Sequence, residues 1–230
     1  MTTSGTTAFN LDLSEIVEEA FERCGAELRT GYDMRTARRS LNLLFADWAN
    51  RGVNLWTIDS DSITLVPGTA TYPLPADTVD LLEHVIRTGA GSASTQADLN
   101  ITRISVSTYA TIPNKLTQAR PIQVYIDRLS PIPTITVWPI PDNVQTYTFV
   151  YWRLRRLQDA GNGVNTMDIP FRFLPCMIAG LASYLALKVP GGLERAQMLQ
   201  AQYDAAWEMA AGEDREKAAV RFVPRQMFIS

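Results

Sequence analysis

The segment PFRFLPCMIAGLASYLALKV, residues 170–189, decides how the rest of the chain must be arranged. Its apolar residues cover most of the circumference of an α-helix, and such a helix is stable only when other elements surround it. Pro175 is predicted to lie in the first turn, where the missing backbone N–H is tolerated. The segment therefore predicts a central helix that helices from elsewhere in the chain must cover.

A further helix is predicted directly after the turn at residues 190–192. Its apolar residues recur at the three- and four-residue spacing of one helix face, so we expect this face to pack against the central helix. The residues of this face are Leu193, Ala196, Leu199, Gln200, Tyr203, Ala206, Trp207 and Ala210.

The N-terminal part of the chain predicts two amphipathic helices. The first spans residues 12–24 and opens with Asp12 and Glu15, which have the spacing of a capping box. The second spans about residues 33–51 and stops at Gly52, a residue type that commonly ends helices. Each helix has one apolar stripe, which must be buried against another element.

Residues 53–169 consist of short β-branched and aromatic runs that Gly and Pro interrupt. We expect six or seven strands here, and a short helix or turn at residues 105–112. The stretch ITVWPIPDNVQTYTFVYWR, residues 135–153, predicts a hairpin of two aromatic strands across a proline-rich turn. Its aromatic residues are expected in the core of a small sandwich or open barrel. These residues are Trp138, Tyr147, Phe149 and Tyr151.

Together these segments predict an α+β fold, in which the N- and C-terminal segments form a four-helix bundle and an antiparallel β domain is inserted between them in the sequence. The bundle is assigned to residues 10–52 and 170–213, and the inserted β domain to residues 53–169. Residues 214–230 are assigned to an extended C-terminal tail.

The composition limits the classes of function. The net charge is −3, which argues against a protein whose main task is to neutralise phosphates. No run of about 18 apolar residues occurs, and the N-terminus lacks a signal-peptide pattern, so we expect neither a membrane span nor export. His84 is the single histidine, and Cys24 and Cys176 are not in a CxxC motif, so no metal, cofactor or disulfide is predicted.

No catalytic motif is present. His84 stands in a strand-like run without a serine or cysteine motif nearby, so we interpret it as a half-buried strand residue. The glycine-containing turns lack the spacings that surround phosphates. The crowded glutamates of the first helix are interpreted as its solvated face. We therefore predict no enzyme activity and no catalytic residues.

Two arginine clusters are candidates for binding. One is formed by Arg35, Arg38 and Arg39 on the second helix, and the other by Arg153, Arg155 and Arg156 at the end of a strand. They either form ion pairs with acidic residues of the same or a neighbouring subunit, or contact phosphates directly. The second alternative corresponds to a nucleic-acid-binding regulator.

Two further segments are candidates for contact with other proteins. Residues 219–229 alternate apolar and basic side chains around a proline, so this tail is expected to be extended. It either pairs with another chain or folds back on its own domain. In the turn at residues 139–142, Ile140 is expected to stand on a polar tip.

The order of several segments resembles the head-to-tail adaptor proteins of short-tailed bacteriophages. These proteins are also called tail accessory factors or packaged-DNA stabilisation proteins, and the likeness extends to the layout of tail tubular protein A. It covers roughly residues 10–210. The segments are LNLLFADWANRGVNLW (41–56), ITLVPGTATYPLPADTVDLLEHV (63–85), RPIQVYID (120–127), TITVWPIPD (134–142) and IPFRFLPCMIAGLASYLALK (169–188).

The resemblance implies a structural virion protein of the phage neck, assembled in the host cytoplasm. It implies a homo-oligomeric ring of about twelve copies that joins the portal protein to the tail nozzle protein and helps to retain packaged DNA. A tail fibre or spike protein is a further partner, and DNA passes through the channel without sequence-specific binding. The alternative function is a peptidoglycan-degrading tail hydrolase, since some relatives are associated with cell-wall hydrolysis.

The resemblance and the charge pattern together assign three candidate sites. The portal-binding tail comprises Arg221, Phe222, Val223, Pro224, Arg225, Met227, Phe228 and Ile229. The nozzle-binding loop comprises Pro139, Ile140, Pro141 and Asp142. The inter-subunit residues are Glu18, Glu22, Arg35, Arg38 and Arg39, since a ring needs two different and complementary patches on each copy.

Overall fold

A computed structural model describes residues 5–7, 9, 11–52, 55–161 and 164–214 of the chain. This part has an α+β fold with five α-helices and two four-stranded sheets. The helices are α1 (Leu13–Cys24), α2 (Gly31–Arg51), α3 (Val106–Ala110), α4 (Leu174–Ala186) and α5 (Leu193–Glu213). The strands are β1 (Ile58–Thr64), β2 (Thr71–Pro73), β3 (Thr78–Thr88), β4 (Ala97–Asn100), β5 (Thr102–Ile104), β6 (Gln123–Asp127), β7 (Thr134–Trp138) and β8 (Tyr147–Arg155).

The chain forms two compact units. The helical unit contains the described residues up to Leu55 together with those from Asp159 onward, and the β unit contains Trp56–Gln158. The segment that leads to α4 lies along the start of α1, because the Leu13 N–H donates to the carbonyl of Asn165 at 3.3 Å.

The ends of α1 and α2 follow from local chemistry. Asp12 and Glu15 form the predicted capping box of α1. α2 begins at Gly31, two residues before the predicted start, because Thr30 caps it: the Thr30 hydroxyl accepts from the N–H of Asp33, whose carboxylate accepts from the Thr30 N–H. Gly52 ends α2 in the left-handed conformation, with φ 75°, as predicted.

The helical unit is organised around α4. Nearly every residue of α4 from Cys176 to Ala186 is buried, and α1, α2 and α5 all pack against it. Pro175 lies in its first turn, as predicted. At Gly180 a side chain would meet Leu44 and Tyr203 at 2.9 Å, so the glycine allows α2 and α5 to approach α4 closely. Within the described residues, no helix is both long and apolar enough to span a membrane.

Trp48 is the largest fully buried side chain of the helical unit. Its indole N–H donates to the Tyr203 hydroxyl of α5 at 2.9 Å. Its ring also lies 5.6 Å from Phe173, which precedes α4, and 5.5 Å from Trp207 of α5. One side chain of α2 thus contacts both C-terminal helical segments, which are separated from it by more than a hundred residues of sequence.

The predicted packing face of α5 is partly wrong. Leu199, Tyr203 and Ala210 are buried, whereas Leu193 and Gln200 are exposed. At about 100° per residue, Leu193 lies about 120° around the helix from Leu199. Leu193 is therefore too far from the centre of the buried face to reach α4.

The β unit consists of two sheets with a shared core. One sheet has the strand order β1-β8-β3-β4, and the other has the order β2-β7-β6-β5. All neighbours pair antiparallel except β5 and β6, which are parallel. The core draws side chains from both sheets: Leu65, Tyr72, Leu74, Leu81, Ile86, Val124, Ile126, Ile135, Val137, Tyr147, Phe149 and Tyr151.

The predicted hairpin between β7 and β8 is wrong. The two strands lie in different sheets, and Tyr147, Phe149 and Tyr151 face β7 residues only across the core. The reason lies in the connection, where Ile140 donates its N–H to Thr117 and accepts one from Ala119, so the chain pairs with another loop instead of turning back. Trp138 is only partly buried, and its indole N–H donates to the carbonyl of Asn114 at 3.1 Å.

The number of strands in the β unit differs from the prediction, whereas its short helix agrees with it. Residues 97–104 form β4 and β5, which lie in different sheets with only Ile101 between them, so the described part of the chain has eight strands instead of the expected six or seven. The short helix predicted within residues 105–112 is confirmed as α3. β6 and β7 pair antiparallel, and Pro131 and Pro133 lie in the connection between them.

We predict that Tyr203→Phe destabilises the protein by about 1–3 kcal/mol, because it leaves the buried Trp48 N–H without an acceptor. Tyr184→Phe is the matched control, because the Tyr184 hydroxyl has no hydrogen-bond partner among the described residues. Urea unfolding of the two variants and the parent measures the difference. Equal stability of the two variants would contradict a structural role for this hydrogen bond.

Candidate interaction surfaces

The outward face of α2 is basic at one end and apolar at the other. Tyr32, Arg35, Arg39 and Leu43 are spaced three or four residues apart, so they share one side of the helix, and all four are exposed. We call these four residues the α2 face. Leu43 is 58% exposed and adds apolar surface beside the arginines.

The three arginines assigned to inter-subunit contact have different surroundings. The Arg38 guanidinium donates to the carbonyl of Gly161 at 3.2 Å, so this residue is tied to its own unit. Arg39 donates only to the hydroxyl of Thr36 at 3.3 Å. Neither Arg35 nor Arg39 has an ion-pair partner among the described residues. With Tyr32, the three arginines line a shallow cavity of about 280 Å³.

The acidic residues assigned to inter-subunit contact lie on α1. Glu18 and Glu22 are exposed, whereas the neighbouring Glu19 is half-buried and pairs with Arg23 at 2.8 Å. The opposite side of α1 is buried in the helical unit. The outward side of α1 therefore carries acidic groups without any exposed large apolar residue.

The outward face of α5 was missed by sequence reasoning. Glu194, Met198, Ala205, Glu208 and Met209 share the side opposite the buried face, and we call these residues the α5 face. Met198 is 52% exposed and Met209 is 76% exposed. A signal existed in the sequence, because the eleven-residue spacing of the two methionines corresponds to about three helical turns.

A second feature missed by sequence reasoning is a cleft of about 390 Å³ in the helical unit. It lies between the loop after α1, the start of α2 and the end of α4. Tyr32 stands between this cleft and the arginine-lined cavity, because it lines both. The cleft has mixed walls: its lining includes Phe21, Leu185 and Val189 together with Glu27, Arg29, Asp33 and Lys188.

The turn assigned to nozzle binding is not an exposed tip. Ile140 is only 6% exposed, and Pro139 and Pro141 are buried as well, so the expectation that Ile140 protrudes is wrong. The cause is the pairing of Ile140 with the loop at residues 117–119. Val144, two residues beyond the turn, is 80% exposed.

The tail assigned to portal binding, Arg221–Ile229, lies outside the described residues. The last described residue before it, Asp214, has a buried carboxylate that pairs with Arg172 at 2.7 Å. This ion pair connects the end of α5 to the turn that precedes α4.

The second arginine cluster is held within the β unit. The Arg153 side chain is 12% exposed, and its guanidinium donates to Asp77 at 2.6 Å and to Asp59 at 3.4 Å. Arg155 also pairs with Asp59, at 3.2 Å, and Arg156 donates to the carbonyl of Ala76. Ion pairing within one subunit, one of the two readings of the sequence, accounts for Arg153 and Arg155.

The single histidine, His84, is packed within the β unit. The His84 ring is half-buried on β3 and stacks against Phe149 at 5.9 Å, and neither ring nitrogen has a hydrogen-bond partner within the described part of the chain. Burial lowers the pKa of the imidazole, and the charge of Glu83 only partly opposes this, so the ring is neutral at pH 7.

The cysteines and carboxylates form no group that could hold a metal ion among the described residues. Cys24 and Cys176 are free and buried, and burial raises the pKa of their thiols to about 11 and about 12. The Cys24 thiol donates to the carbonyl of Ala182 at 3.1 Å.

The alternative function, a peptidoglycan-degrading tail hydrolase, stays a prediction.

The family model described as SU10 adaptor protein matches residues 11–225. The chain belongs to the SU10 adaptor protein family. This membership confirms the resemblance to phage head-to-tail adaptors that the order of segments indicated, and it makes the chain a structural adaptor protein of a bacteriophage. No curated protein matches the chain.

The ion pairs of the adaptor's β unit lead to a prediction about pH. Burial of Asp77 raises the pKa of its carboxyl, but the hydrogen bond and charge of Arg153, with the charge of Arg155, outweigh burial and lower the pKa overall. A lowered pKa stabilises the fold above the unfolded value, about 4, and this contribution is lost as the pH falls through the folded value.

We therefore predict that Asp77→Asn lowers the melting temperature at pH 7 and weakens its dependence on pH between pH 5 and pH 3. Asp127→Asn is the control, since Asp127 has no ion-pair partner among the described residues. Thermal unfolding at several pH values measures both. If Asp77→Asn and Asp127→Asn follow the parent's pH dependence equally, the ion pair has no role in acid stability.

Proposed function

We propose that this adaptor is a head-to-tail connector, which joins the portal protein to the tail nozzle protein in the neck of the virion. The observation that carries the proposal is the SU10 adaptor family match, which spans residues 11–225 and so includes both structural units. The connector closes the channel after packaging and so helps to retain the DNA. Its assembly takes place in the host cytoplasm.

In this proposal the helical unit is a four-helix bundle that forms the body of a homo-oligomeric ring. A closed ring requires two different patches on each copy, which contact each other head to tail. Two features support this arrangement: Arg35 and Arg39 of α2 have no ion-pair partner in the described part of the chain, and the helical unit exposes acidic groups. A ring of about twelve copies is the number that the family resemblance implies.

The tail, Arg221–Ile229, is proposed to extend along the portal and to attach the ring to it. Its alternation of apolar and basic residues suits insertion into a groove or addition to a sheet edge of another protein. The family match supports this role in part, because it continues to residue 225 and so includes the first half of this segment. The ion pair between Arg172, which is exposed, and the buried carboxylate of Asp214 holds the end of α5, the helix that precedes the tail in the sequence.

The β unit is proposed to contact the nozzle, and a tail fibre or spike protein is a further partner. Pro139–Asp142 remains the candidate loop, but Val144 is the side chain nearby that offers exposed apolar surface. The net charge of −3 suits a channel through which DNA passes without sequence-specific binding, because a basic lining would hold the phosphates.

We predict that deletion of residues 216–230 leaves the fold intact and abolishes attachment to the portal. Purified portal particles of the same phage are mixed with parent or truncated adaptor, and co-sedimentation measures the bound fraction. Circular dichroism and the melting temperature check that the truncated protein is folded. Undiminished binding of the truncated protein would refute the role of the tail.

Two full-length variants separate the apolar from the charged contribution of the tail. Phe222→Ser with Phe228→Ser removes the apolar groups, and Arg221→Gln with Arg225→Gln removes the charges. Groove insertion predicts a larger loss from the first pair, because buried aromatic anchors dominate binding energy. It also predicts that only the second pair alters the salt dependence.

A further inference from the structure

We infer that the α2 face of one copy packs against the α5 face of the next copy, so that α5 and not α1 supplies the acidic partner of Arg35 and Arg39. This inference rests on the proposed connector function and names the two surfaces of its ring contact. It replaces the pairing with Glu18 and Glu22 that the charge pattern of the sequence suggested.

The α2 face has the composition of half an interface. Arg35 and Arg39 have no carboxylate partner among the described residues, and Leu43 and Tyr32 next to them are largely exposed. Interface cores are enriched in aromatic, methionine and arginine side chains. A partner for this face therefore needs both acidic groups and apolar surface.

The α5 face meets both requirements. Glu194 and Glu208 have no ion-pair partner among the described residues, and Met198 and Met209 beside them are exposed. Methionine adapts its shape to a facing surface and is common at binding sites. Ala201 and Ala205 lie between the two methionines and leave room for close approach of another helix.

The spacing of one charged and one apolar group agrees between the two faces. Arg39 and Leu43 are one helical turn apart, and so are Glu194 and Met198. An ion pair and an apolar contact can therefore form side by side when the two helices pack in a single register.

The acidic face of α1 fits less well. Its exposed groups are Glu15, Glu18 and Glu22, without an exposed leucine, methionine or aromatic residue among them. A contact with this face would pair charges at high solvent exposure and would leave Leu43 uncovered. Exposed ion pairs of that kind contribute little to association.

The partner is a second copy of this chain because each face lies on the side of its helix opposite the core of its own unit. No ion pair joins the two faces among the described residues. Two different and complementary patches on one subunit are what a head-to-tail ring contact requires.

Charge reversal with rescue tests the pairing. The first variant carries Arg35→Glu and Arg39→Glu, the second carries Glu194→Lys and Glu208→Lys, and the third combines all four changes. The matched control is Glu18→Lys with Glu22→Lys, alone and combined with the first variant. Asp204 stays unchanged because its charge already acts on Arg51 of the same chain.

The number of adaptor copies bound to each portal particle is measured by mass photometry over a range of adaptor concentrations. We expect the first and second variants to need at least about tenfold more protein for lateral assembly, because like charges then face each other. The combined variant regains assembly close to the parent. The Glu18 and Glu22 changes neither impair assembly nor rescue the first variant.

Three results would overturn the inference, and they differ from failure of the connector function. Rescue of the first variant by the Glu18 and Glu22 changes would assign the acidic partner to α1. Parent-like assembly of all variants would remove both faces from the ring contact, while portal binding by the parent would still support the connector. If neither the Glu194 and Glu208 changes nor the Glu18 and Glu22 changes restore assembly of the first variant, another surface contacts the α2 face.

If the parent protein does not bind the portal at all, the proposed connector function fails. Self-association without the portal, measured by sedimentation at high protein concentration, then judges the pairing by itself. Loss of self-association in the first and second variants, with its recovery in the combined variant, would support the pairing of the α2 face with the α5 face. Equal association of all variants would refute it.

Discussion

The helical unit depends on the burial of α4, a helix that is apolar on nearly all sides. No single neighbour can cover such a helix, so α1, α2 and α5 must all pack against it. Gly180 allows the close approach, since a side chain there would collide with Leu44 and Tyr203. Trp48 then fixes the relation of α2 to α5 through its hydrogen bond to Tyr203. The outward faces of α2 and α5 are defined by this packing.

Several parts of this arrangement could be predicted from the sequence because the local chemistry is specific. The capping pair Asp12 and Glu15 marks the start of α1, and Gly52 marks the end of α2. The apolar residues of α4 have no exposed side to offer, so a central helix was the one consistent interpretation. These signals depend on neighbours within a few residues.

The predictions are wrong where contacts between residues far apart in the sequence determine the structure. The sequence cannot show that Ile140 pairs with residues 117–119, and this pairing turns a predicted hairpin into a crossing between two sheets. It also buries the residue that was expected to bind the nozzle. On α5, Leu193 looks like a core residue by type, yet its angle around the helix places it outside the contact with α4. Exposure of Met198 and Met209 follows from the same geometry.

The pairing of β1 with β8 has a consequence for the order of folding during synthesis. Ile58 is opposite Leu154, so the first and last strands of the β unit, β1 and β8, are neighbours in one sheet. All strands of the β unit precede α4 in the sequence and are therefore translated before it. At about 5–20 residues per second, the 123 residues from Arg51 to Leu174 delay α4 by roughly 6–25 s. The apolar stripes of α1 and α2, which pack against α4 in the folded protein, therefore lack their cover for at least that time.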